Sequence, residues 1–104
     1  MNTYIPKTLF LTLFIPAAFA ENNDYPPAGS YGFDWLDPLS AQCRQITGAD
    51  IRSFKSCYFE KEGGSFGLEY PYYSCRVNDD IEFVVYLSES ACIEAKETMD
   101  ANAL

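Results

Sequence analysis

A small α+β domain held by disulfides is the fold this sequence predicts: three antiparallel strands with an N-terminal and a C-terminal helix on one face. Three observations lead there. Ile81, Phe83, Val85 and Leu87 alternate with other residues, which puts four large apolar groups on one face of a strand. Ser88 to Met99 follow at once with helical spacing and offer a cover for that face. Four cysteines, Cys43, Cys57, Cys75 and Cys92, are an even set in a short chain and read as two disulfides.

The first 20 residues are set aside before any fold is considered. Lys7 is the only charged residue among them, and Leu9 to Phe19 are apolar apart from Thr12. Ala18-Phe19-Ala20 has the small-x-small form of a cleavage site. Residues 1–20 therefore read as a secretory signal peptide, and the apolar run is shorter than the roughly 20 residues a spanning helix takes. The protein is expected to be secreted or periplasmic, with no stable membrane insertion after cleavage. Residues 21–30 have no apolar periodicity and two adjacent prolines, Pro26 and Pro27, and read as a flexible tail. Residues 31–104 form the single domain.

Within that domain, Tyr31 to Leu36 hold three aromatics in six residues, including the only tryptophan, Trp35; Phe33, Trp35 and Leu36 are expected to cap one end of the core, the alternative being an exposed aromatic patch for a partner. Asp37-Pro38 is a helix start, with Asp37 as cap and Pro38 in the first helical position. Leu39, Cys43 and Ile46 then form one apolar face of a helix that stops by Gly48. Thr47 and Asp50 are spaced as a capping box for a short helical turn through Phe54. Ser56 to Glu60 alternate as a strand with Cys57 and Phe59 on one face. The glycines of Glu62 to Gly67 lack phosphate-loop order and mark a long hairpin connection. Tyr73, Cys75 and Val77 alternate as the next strand, and Asn78-Asp79-Asp80 turn the chain back. That hairpin sets Val77 opposite Ile81 and Cys75 opposite Phe83. In the last helix Cys92, Ala95 and Met99 make the inward stripe.

Four cysteines allow three pairings. Cys43–Cys57 with Cys75–Cys92 is the expected one, because it staples each helix to a strand near it in sequence. The nested pairing, Cys57–Cys75 with Cys43–Cys92, is the alternative.

Charge and composition narrow the function. After loss of Lys7 the chain carries 6 basic and 15 acidic residues, a net charge of −9. Nucleic-acid binding rests on lysine and arginine meeting phosphates, so no nucleic acid is expected as a partner. A protein, and a basic one in particular, is the expected partner. There is no histidine, which removes Ser-His-Asp and Cys-His catalysis, and no C-x-x-C pair. Neither an enzyme nor a cofactor or metal site is expected. Tyrosine supplies contact area together with a hydroxyl, which suits recognition. Tyr58, Tyr70, Tyr72, Tyr73, Glu82, Val84 and Tyr86 are the candidate partner-binding residues, with Tyr58, Glu82, Val84 and Tyr86 on the sheet face away from both helices. The expected function is an exported acidic binding module, an inhibitor of or adaptor for another envelope protein. The alternative is a structural or accessory subunit of an envelope assembly. The oligomeric state is not legible in the sequence.

Overall fold

The structure, a computed structural model, describes residues 24–102. The proposed signal peptide, residues 1–20, lies outside the described residues. The chain runs β1 (Tyr31–Asp34), β2 (Arg44–Gln45), α1 (Gly48–Ser53), β3 (Ser56–Glu60), a 3₁₀ turn (Ser65–Gly67), β4 (Tyr72–Asn78), β5 (Ile81–Tyr86) and α2 (Glu89–Asn102). It is a small α+β structure with one five-stranded antiparallel sheet, two helices and two disulfides. The strand order is β2-β1-β5-β4-β3.

Two strands were not anticipated. Tyr31 to Asp34 pair along β5 as a strand, with Phe33 opposite Val84. Gly32 is needed there: a Cβ on it would lie 2.6 Å from the Val84 carbonyl oxygen. The helix expected from Pro38 to Ile46 does not form. Asp37 does start a turn, since the Ala41 N–H donates to its carbonyl at 2.9 Å. Nucleating a helix is costly, and the chain instead spends Arg44 and Gln45 on pairing with β1. Leu39, read as inward-facing, is 99% exposed.

The second correction concerns which face the helices cover. Val84 and Tyr86, expected on a face away from both helices, are 4% and 1% exposed. Helix α2 packs there, with Ala91, Cys92 and Ala95 meeting Phe33, Val84 and Tyr86 and Met99 packed beside them. The opposite face, that of Phe83, Val85, Cys57 and Cys75, is closed by Ile46, Phe54 and Ile51 from the α1 region. Alternation along β5 was read correctly but covered from both sides, and Leu87, the last member of the expected inner face, is exposed.

The disulfides are Cys43–Cys92 and Cys57–Cys75, which corrects the expected pairing in favour of the nested one. The register explains it. Cys57 lies directly opposite Cys75 across β3 and β4, with Cα atoms 4.1 Å apart. Cys92 faces the other side of the sheet, out of reach of Cys75, and meets Cys43 at a Cα separation of 6.1 Å. The β4–β5 hairpin sets Cys75 opposite Phe83 as expected. It pairs Ile81 with Asn78 rather than Val77, because the register shifts between Arg76 and Asn78.

The described part of the expected flexible tail, residues 24–30, is tied down. The Asp24 N–H donates to the Cys57 carbonyl, and the Gly29 N–H to Ile46. Pro27 to Ser30 make a turn closed by the Ser30 N–H on the Pro27 carbonyl, with Gly29 at φ 96°. The capping box forms as read: the Asp50 N–H donates to Thr47 Oγ1 and the Thr47 N–H to Asp50 Oδ2. Ser88 caps α2 by accepting from the Ala91 N–H.

Digestion of the unreduced protein is expected to yield one fragment linking Cys57 to Cys75 and another linking Cys43 to Cys92, read by mass spectrometry. Replacing each pair by serine should lower stability in urea by about 3 kcal/mol for the 18-residue separation and about 4 kcal/mol for the 49-residue one. A second test concerns acid. The Arg44 guanidinium donates to Asp50 at 2.7 and 2.9 Å, and that hydrogen bond holds the carboxyl down to about 2. Its unfolded value is about 3.9. The pair and cap therefore stabilise the fold above about pH 4, and that contribution disappears as pH falls toward 2. Asp50→Asn should cost about 1 kcal/mol at neutral pH and flatten the fall in urea midpoint across that acid window.

Candidate functional site

The sheet face that bears α2 is covered only in part. The helix packs on β1, β5 and the 3₁₀ turn. Tyr58, Ser74 and Val84 form a row across β3, β4 and β5 on that same face, continued by Phe33 on β1. Phe33 and Val84 are buried, whereas Tyr58 is 54% exposed. Where the cover ends, a cleft of about 150 Å³ opens, lined by Trp35, Ser65, Phe66, Tyr72, Ser74, Glu82 and Val84.

Each wall has a local cause. Trp35 follows the last residue of β1, and its N–H donates to the Glu82 carbonyl at 3.1 Å. The preceding Asp34 fastens the same junction: its Oδ1 accepts from the N–H groups of Glu82 and Leu36. A short acceptor side chain at a strand end thus turns the backbone and leaves the indole beside Glu82, 39% exposed. Phe66 comes from the 3₁₀ turn with φ 56°, a left-handed conformation rare for a bulky residue. Its ring stacks on Phe33 with centroids 6.1 Å apart, which holds it against the cleft. Backbone strain of this kind gathers at functional positions.

The floor is polar and ordered. Glu82 Oε2 accepts the Ser74 hydroxyl at 2.7 Å, and Oε1 accepts Arg76 Nη2 at 3.1 Å. Arg76 and Glu82 are direct cross-strand neighbours, so the ion pair follows from register. Tyr72 stands opposite Glu60. Burial, and then the Glu60 and Glu82 carboxylates, push its hydroxyl above the usual tyrosine value. By the strand register this face carries two carboxylates, Glu60 and Glu82, against one guanidinium, Arg76.

Three of the candidate partner-binding residues, Tyr72, Glu82 and Val84, line the cleft, and Tyr58 stands exposed on the same face. The others lie elsewhere. Tyr73 is on the opposite face, its ring 4.7 Å from Phe59. Tyr70 donates its hydroxyl to Glu94 on α2 at 2.6 Å, which raises its own pKa. Tyr86 is buried beneath α2, and its hydroxyl has no hydrogen-bond partner among the described residues. Burial raises its pKa as well. Trp35 and Phe66 also belong to the site, although neither is among the candidate partner-binding residues; an exposed patch around Trp35 is only the alternative to its expected place in the core. The cluster Tyr31-Gly32-Phe33-Asp34-Trp35-Leu36 does announce an aromatic feature, but only strand pairing separates buried Phe33 from exposed Trp35 and Leu36. Nothing in the sequence around Phe66 sets it apart from a hairpin connection.

Among the described residues, no three Cys, Asp or Glu side chains gather as a metal site, and no helix is long and apolar enough to cross a membrane. No protein-family model, curated protein or solved structure matches the chain.

The cleft's field has a direct readout in Trp35, the only tryptophan. Measured against each ion's quenching of free N-acetyltryptophanamide, caesium is expected to quench its fluorescence more strongly than iodide, and Glu82→Gln should narrow that difference.

Proposed function

We propose that the protein is an exported acidic binding module that docks on another protein, as its inhibitor or adaptor, through the uncovered part of the α2 face. One observation carries this reading: exposed Trp35 and Tyr58 flank a concave, acidic-floored patch on an otherwise well-packed sheet. Aromatic side chains with a polar tip are the anchors protein interfaces use most, and a rigid sheet presents them at little entropic cost. The two disulfides are compatible with an oxidising, extracellular or periplasmic setting. A net charge of −8 for the full chain favours encounter with a basic partner.

The test is photo-crosslinking in the native envelope or secreted fraction from position 61, exposed just after β3, with capture repeated on variants. Wild-type protein should recover one partner reproducibly, with recovery falling as salt is raised. Trp35→Ala combined with Tyr58→Ser should cut recovery by at least about tenfold. Phe59→Ser, on the other face, should leave it unchanged. Recovery that ignores the Trp35/Tyr58 change would refute the docking face. Recovery that resists high salt would favour a stable accessory subunit instead.

A further inference from the structure

Two features of the cleft point to the group it takes. The first is its rings. Trp35, Phe66 and Tyr72 contribute three aromatic side chains to one small opening, and aromatic faces attract cations. The second is its acceptor chemistry. An ionised carboxylate offers about four lone-pair sites. Glu82 uses one on Ser74 and one on Arg76, which leaves acceptor capacity at the floor. The Ser74 and Tyr72 oxygens add to it, and Glu60 supplies a second carboxylate on the same face. Arg76 is the single cation set by register among these carboxylates, and it is already engaged.

The geometry points to a lysine side chain of the partner protein as the occupant, its ammonium at Glu82 and its stem between the Trp35 and Phe66 rings; this rests on the docking reading above. Arginine fits less well. Its planar fork is matched to both oxygens of a carboxylate at once, and here each oxygen of Glu82 already has a donor. An ammonium is a point charge with three rotatable donors and can take the remaining lone pairs singly. A neutral chain would lose the charge-assisted hydrogen bond, and an anion would meet Glu60 and Glu82.

End-blocked Gly-Lys-Gly, titrated into the full protein and followed by Trp35 fluorescence, tests this directly. Matched peptides carry arginine, norleucine or Nε-acetyl-lysine at the centre. The lysine peptide should bind saturably, with the norleucine and acetyl-lysine forms at least about tenfold weaker, as expected for loss of a hydrogen bond to a charged group. Arginine should fall between. Glu82→Gln should weaken lysine binding by a similar factor with unchanged circular dichroism. If that variant misfolds, Glu60→Gln, exposed on β3, supplies the charge test and should weaken binding severalfold. Equal binding of the lysine and acetyl-lysine peptides, or no response at tens of millimolar, would overturn the assignment. The two proposals separate cleanly. Partner capture that depends on Trp35 yet survives acetylation of the partner's lysines sinks the lysine and keeps the docking face. Lysine-peptide binding without any captured partner does the reverse.

Discussion

Burial of β5 on both faces is the constraint on which the rest of the structure depends. Val84, Val85 and Tyr86 are consecutive and all buried, so the strand has no solvent side along this run. It needs a cover above and another below, and the chain supplies them from different places. The upper cover is α2, reached directly from the end of β5. The lower one is assembled from Ile46, Ile51 and Phe54. β5 must also be flanked in the sheet, which recruits β1 on one side and β4 on the other. The order of the whole sheet follows from keeping this strand near the middle.

A chain with so small a core relies on staples, and each of its two disulfides serves one layer. Cys57–Cys75 locks β3 to β4 on the lower face. Cys43–Cys92 fastens the segment before β2 to α2, whose inward stripe is otherwise only Ala91, Ala95 and Met99. Small side chains bury little area, and so the helix draws its attachment from the crosslink as much as from packing. The same arrangement creates the cleft. Because α2 lies over β1 and β5, β4 and β3 on that face stay open, and Tyr58, Tyr72 and Ser74 remain available.

Local features were legible wherever a few neighbouring residues decide the outcome. The Thr47–Asp50 capping box, the Cys75–Phe83 pairing and the Cys92-Ala95-Met99 stripe need only spacing to be seen. The chain from Asp37 to Ile46 departs from the expected helix because its helical periodicity is real but weak. A single turn forms at Asp37, after which strand pairing and the Cys43 crosslink overrule propensity. Three of the seven residues that line the cleft were legible as well. Glu82 and Val84 follow from alternation and Tyr72 from the tyrosines clustered around Pro71, while Trp35 and Phe66 enter through the Asp34 junction and the strained 3₁₀ turn, neither of which alternation can reveal.

The sequence by itself determined the class of fold, the even set of cysteines bound for two disulfides, the acidity and the absence of histidine. Each of these is a property of composition or of short-range pattern. Only the tertiary structure decided which face of β5 the last helix covers, and with it the pairing of the cysteines. The physical reason is that a strand buried on both sides presents two apolar faces, and its sequence does not say which element meets which. Once α2 took the face of Val84 and Tyr86, Cys92 could not reach Cys75 and closed on Cys43. The tyrosines expected to be exposed there were then divided between a buried core and an open cleft.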